Sequence, residues 1–159
     1  MSVPPAEPAP ATATDWPVWQ QPPQRLAAGA GLAGVAQALA WLEALGEQQG
    51  WPARTLFALT LCADEALTNI ASHGRTPQGG AAQIWLACGP TPHALALCIE
   101  DDGAPFDPTA QDSPQLAASL EQAEIGGHGL RLMRHYLRRL LYRRAAGRNV
   151  LLLELAQDS

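Results

Sequence analysis

Three observations predict a mixed α/β domain. Apolar residues recur at helical spacing over 32–45 and again over 52–72. Two alternating segments, 82–88 and 94–100, flank the turn-forming Gly89-Pro90-Thr91-Pro92-His93. A third helical stripe over 129–142 leads through the turn at Gly147 to an apolar strand over 150–155. At 159 residues the chain has the length of one domain with a tail. A domain of this size buries roughly 68–70% of the surface its unfolded chain exposes, so it needs no staples.

Each element has its own reason. Residues 1–24 hold seven of the fourteen prolines, with alanine and threonine between them. That composition predicts an extended, unfolded tail, and Trp16 and Trp19 are its only features with something to bury. A short edge strand around 25–28 is weakly signalled. In the first helix Leu32, Val35, Ala36, Leu39, Leu42 and Leu45 form the stripe, and Gly46 and Gly50-Trp51-Pro52 punctuate its end. Pro52 suits the first turn of the second helix, whose apolar side carries Leu56, Leu59, Ala63, Ala66, Leu67 and Ile70. Gly74 is expected to close it with a left-handed cap. In the hairpin Ile84, Leu86 and Cys88 face one way, as do Leu95, Leu97 and Ile99. Residues 103–125 read as an acidic loop with at most a short helix near 116–121. Leu130, Met133, Leu137, Leu140 and Leu141 make the inner stripe of the third helix.

Composition narrows the function. The chain is 47% hydrophobic and 16% charged, which is globular. Its net charge of −5 argues against a general nucleic-acid binder. No apolar run approaches a membrane span and no basic start precedes one, so neither anchor nor signal peptide is expected. All ten basic residues are arginine. The lack of lysine excludes Schiff-base and pyridoxal chemistry, the P-loop lysine and the strand lysine of eukaryotic-type kinases. Cys62, Cys88 and Cys98 form no close pair and sit in apolar segments, as buried reduced thiols of a cytoplasmic protein do. The four histidines show no ligand spacing with them, so zinc is not expected.

Three motifs carry chemistry. In Asp64-Glu65-Ala66-Leu67-Thr68-Asn69, Glu65 and Asn69 lie four apart on one helix face. A carboxylate beside an amide oxygen suits a hard cation such as Mg²⁺, and the carboxylate can orient a hydroxyl for attack. In Glu100-Asp101-Asp102-Gly103-Ala104-Pro105-Phe106-Asp107-Pro108, an acidic cluster followed by glycine ends a buried strand. It reads either as a turn or as a carboxylate offered to a ligand's amino group. Gly126-Gly127-His128-Gly129 opens a helix, as a hinge or as a backbone cradle for phosphate. It is not a dinucleotide fingerprint, because no strand precedes it and the glycine spacing fails. Together the three supply the parts of an ATP pocket built without lysine.

In this order, and followed by Gly147-Arg148-Asn149-Val150-Leu151-Leu152-Leu153-Glu154-Leu155, the motifs resemble those of the GHKL ATPase superfamily, which includes gyrase, MutL and histidine-kinase ATP domains. The nearest resemblance is to bacterial anti-sigma factor serine/threonine kinases of the switch-protein-kinase type, over about residues 25–156. It implies a Bergerat-type α/β two-layer sandwich, a mixed, mostly antiparallel sheet with helices on one face, spanning residues 25–159. It also implies site roles. Glu65 matches the general base toward an acceptor serine, and Asn69 the residue holding Mg²⁺ against the phosphates. Asp101 matches the partner of the adenine amino group, Gly103 the glycine beneath the base, and Gly127 and Gly129 those contacting phosphate.

The implied partners are an antagonist protein of the anti-anti-sigma type and a sigma factor, with no nucleic acid and no membrane. Relatives of this kind often pair, so a homodimer is among the expectations. Arg131, Arg134, Arg138, Arg139, Arg143, Arg144 and Arg148 read as a solvated face, with an acidic partner's docking surface as the alternative. Two departures bear on activity. The resembled kinases carry an arginine in the first helix and another before the glycine box; residues 28–50 contain none, and Ile125 stands at the second place. One supplied arginine changes phosphoryl-transfer rates by roughly 10³–10⁵. Three readings are therefore open: a kinase, an ATP-dependent binding switch, and an interaction protein with an empty pocket.

Overall fold

The computed structural model describes residues 16, 18–92, 94–110 and 128–156. The elements run β1 (Gln24–Ala30), α1 (Gly31–Gln49), α2 (Ala53–His73), β2 (Gln83–Pro90), β3 (Ala94–Asp101), α3 (His128–Tyr136), β4 (Leu137–Ala145) and β5 (Arg148–Ala156). The strands form one sheet in the order β1-β2-β3-β5-β4. Each pairing is antiparallel, so the antiparallel majority expected of the sheet extends to all of it.

The α/β two-layer sandwich follows from which residues are apolar on which face. Leu86, Leu97, Ile99, Leu151 and Leu153 point to one side and pack with Leu42 and Leu45 of α1, Leu59, Ala63 and Leu67 of α2, and Met133 of α3. All three helices therefore lie on one face, and α1 ends at Gly50 in a left-handed cap. Leu32, expected in the stripe, is 74% exposed because the buried side of α1 begins at Gly34 and Val35. Gly74 has φ −78°, not the left-handed value expected; a Cβ there would meet the Ile70 carbonyl at 2.7 Å.

The third helix departs most from expectation. It stops at Tyr136, and residues 137–145 are an edge strand on β5. Val150, Leu151, Leu152, Leu153 and Leu155 are buried on both faces, which makes β5 a central strand whose backbone needs a partner on each side. β3 supplies one and β4 the other. Leu137, Leu140 and Leu141 fit a helical period, but pairing decides their state.

The tail is shorter than expected. Trp16 and Trp19 pack on the outer sheet face against Ala87, Ala96, Cys98, Val150 and Leu152. The Arg143 guanidinium lies 4.3 Å from the Trp16 ring centre, and the Gln20 N–H donates to the Pro90 carbonyl. The expectation of an unfolded segment through residue 24 thus fails from Trp16 onward. Residues 1–15 lie outside the described residues. No helix among the described residues is long and apolar enough to cross a membrane.

Candidate functional site

Two strand ends, the middle of a third strand and one helix converge on a small pocket. Asp101 ends β3, Asn149 begins β5 directly opposite it, and Tyr142 lies on β4. α2 contributes Asn69 and His73. The alternation that sends Leu97 and Ile99 into the core sends Asp101 to the same face, at the point where the helices leave a gap. Asn69, Asp101, Phe106, Tyr142 and Asn149 line a cavity of about 30 Å³, room for about one water. Phe106 stacks on His73 with ring centres 5.3 Å apart.

The Asp101 carboxylate is buried and hydrogen-bonded on one oxygen. Its Oδ1 accepts from the Gly103 N–H at 2.9 Å and from Asn149 Nδ2 at 3.0 Å. Burial raises the Asp101 carboxyl above its ordinary value, and the Asn149 and Gly103 hydrogen bonds oppose that rise. Gly103 makes a close backbone approach: a Cβ there would lie 3.0 Å from the Gly74 Cα and would force the two segments apart by a few tenths of an ångström. Its carbonyl accepts from Arg144 Nη1 at 2.8 Å, which ties the loop to β4.

Glu65 and Asn69 lie one turn apart on α2, with the Asn69 amide near enough to act on the Glu65 carboxyl. Burial and the neighbouring Asp64 charge raise the Glu65 carboxyl, and the Asn69 amide lowers it. Such a carboxyl holds a proton more readily than an exposed one, which suits a base. The pair offers only oxygen toward a cation. No group of three or more His, Cys, Asp or Glu residues among the described residues can hold a metal. The chemistry of the pair, a carboxylate and an amide oxygen, is of the kind that hard cations take.

Asn69, Asp101 and Gly103 meet at one end of the sheet, with Glu65 beside them on α2. Gly129 lies in the first turn of α3, while Gly126 and Gly127, like the loop over 111–127, lie outside the described residues. Arg134 of α3 donates to the Thr109 carbonyl at 3.2 Å, so α3 rests against the loop that carries Pro108 into the pocket. Arg75 donates to the carbonyls of Ala71 and Gly74 and so caps α2. The sequence reading missed Asn149 and Tyr142. The available signal was an asparagine, a residue depleted in strands, heading an apolar run.

A larger cavity of about 340 Å³ lies at the opposite sheet end, lined by Trp51, Leu95 and Leu155 among others, with no charged side chain. Among the described residues it shares none with the helix pair, the Asp101 loop or the glycine box.

The serine/threonine-protein kinase BtrW of Bordetella bronchiseptica is 53% identical to this chain over 116 residues, which is 73% of this chain and 81% of the relative. A family described as the histidine kinase-like ATPase domain matches residues 28–155, from β1 to the end of β5. The match takes in α2, the Asp101 loop and the last strand, and the chain belongs to the histidine kinase-like ATPase domain family.

Proposed function

We propose that this protein binds Mg-ATP in the Asp101 pocket and phosphorylates a serine or threonine of a partner protein, as an anti-sigma-type regulator of transcription in the cytoplasm. The observation that carries the reading is the convergence of Asp101, Gly103 and Asn69 on one pocket at the end of the sheet, with Glu65 beside Asn69. ATP follows from membership of an ATPase-domain family, and protein phosphorylation is suggested by the name of the 53% identical relative.

In this reading Asp101 accepts from the adenine amino group and Gly103 lets the base approach the backbone. Phe106 leaves His73 as the base enters, because the cavity of about 30 Å³ is too small for a purine. Asn69 holds Mg²⁺, which neutralises phosphate charge. Gly127 and Gly129 donate backbone N–H groups to the phosphates at the start of α3. Glu65 takes the proton of the acceptor hydroxyl. The hydroxyl oxygen bonds to the terminal phosphorus as the bond from that phosphorus to the bridging oxygen breaks, and ADP leaves with the electron pair. The partners are an anti-anti-sigma-type antagonist and a sigma factor.

A second reading, an ATP-dependent switch without transfer, is favoured by one observation. Arg75, a candidate substitute for the absent phosphate-facing arginines, has its guanidinium on carbonyls of its own helix end. Incubation with terminally labelled ATP, Mg²⁺ and a candidate antagonist protein separates the two. Label on the antagonist is expected of the kinase, and nucleotide binding without label is expected of the switch.

A further inference from the structure

Asn149 spends its whole amide inside the protein. Nδ2 donates to Asp101 Oδ1 at 3.0 Å and to the Ala104 carbonyl at 2.9 Å. Oδ1 accepts from the Tyr142 hydroxyl at 2.5 Å and from the Phe106 N–H at 3.1 Å. An amide has two N–H donors and two acceptor lone pairs, so none is left for a ligand. The side chain is 5% exposed. Asp101 Oδ1 is equally occupied, by Gly103 and Asn149, and among the described residues Oδ2 has no hydrogen-bond donor.

We infer that Asn149 and Tyr142 are positioning residues that lock the Asp101 carboxylate in one orientation and make the pocket select a 6-aminopurine nucleotide over a 6-oxopurine one. The inference rests on the nucleotide reading above. An oxygen that can only accept pairs with an amino group and repels a carbonyl. If Asp101 instead takes up a proton, Oδ2 becomes a donor and the repulsion of a 6-oxo group is lost. Two donors on Oδ1 oppose that protonation. Arg144 opposes it too, while burial and Asp102 favour it. Among the described residues, Tyr142, held by Asn149, and His73, across the pocket on α2, also face the site, and the Asp107 charge acts on Tyr142. The Phe106 N–H, which can only donate, and the Ala104 carbonyl, which can only accept, fix which way the Asn149 amide points, and Tyr142 holds it there by donating to the same oxygen.

The test is the affinity of the full chain for Mg-ATP and Mg-GTP from mildly acidic to neutral pH, for wild type, Asn149→Leu, Asn149→Thr and Tyr142→Phe. For Asn149→Leu, ATP affinity is expected to fall by about 10-fold or more, the charged hydrogen bond being lost. Its acid limb should move up by about one pH unit. The ATP-over-GTP preference should shrink as the acid limb is crossed. Tyr142→Phe, which deletes one hydroxyl and keeps the ring's packing, should move all three quantities the same way by less, and stands as the test if Asn149→Leu does not fold. Asn149→Thr, which retains a short donor, should recover part of the loss. Wild-type ATP binding together with variants of unchanged acid limb and unchanged preference overturns the inference alone. A wild type that binds neither nucleotide overturns the function reading and this inference with it.

Discussion

The Gly103 N–H donates to Asp101 Oδ1 across 2.9 Å, so the glycine of the loop and the carboxylate of the strand end hold each other in place. Replacing Asp101 by Asn removes the negative charge and puts an NH₂ group on one of the two oxygen positions. The charge-assisted bond to adenine is lost, which is worth roughly 1.5–3 kcal/mol. Calorimetry should therefore show ATP affinity reduced by about 10- to 150-fold. Unchanged affinity would remove Asp101 from the site.

Glu65→Gln should keep ATP binding and stop phosphoryl transfer, because an amide cannot take the acceptor's proton. The same variant should be more stable than wild type at neutral pH. A carboxyl raised by folding binds its proton more tightly folded than unfolded. Its contribution to stability is present below the ordinary value of 4.5 and is lost as pH rises through the raised one. Thermal melts of both proteins should differ at neutral pH and converge on acidification. An equal melting temperature throughout would show that Glu65 carries no such strain.

Deleting residues 1–22 should destabilise the domain. Trp16 and Trp19 are half-buried on the outer face, and Arg143 covers the Trp16 ring. Losing two partly buried tryptophans and one cation–π contact costs about 2–4 kcal/mol. In a domain of this size that lowers Tm by roughly 6–15 °C. A melting curve that does not move would mean these rings contribute nothing.

Arg139→Ala should destabilise more than Glu154→Gln. Glu154 has 3% of its side chain exposed, against 35% for Arg139, and the two meet at 2.8 Å. Removing the arginine leaves a buried carboxylate with Arg138 at 3.8 Å and the Thr91 hydroxyl at 3.5 Å, both too distant to offset it fully. Removing the carboxylate leaves an arginine that water can reach. Chemical denaturation should show the first variant weaker by about 1–3 kcal/mol than the second. The opposite order would mean that the pair's energy lies in the arginine.

The parts of the fold that declare themselves locally were legible. α2 carries its stripe of Leu59, Ala63, Ala66 and Leu67, and β2 and β3 alternate around a turn. Asp101 and Gly103 read equally as a turn by themselves, and stood out only through their order with the helix pair and the glycine box. The remainder depends on contacts distant in sequence. Residues 137–145 satisfy a helical period as well as a strand, and only the need of β5 for a second partner settles them. Asn149 matters because register sets it opposite Asp101, which the order of residues does not reveal. Trp16 and Trp19 lie in a proline-rich stretch whose composition hides that a small-residue sheet face, Ala87, Ala96 and Cys98, is open to receive them.

Titration of the isotope-labelled protein with Mg-ATP, followed by amide resonances, tests the pocket most directly. The largest shifts are expected at Asn69, Gly103, Phe106 and Asn149. Shifts confined to Trp51, Leu95 and their neighbours around the cavity at the far end of the sheet, or no shifts at saturating nucleotide, would contradict it.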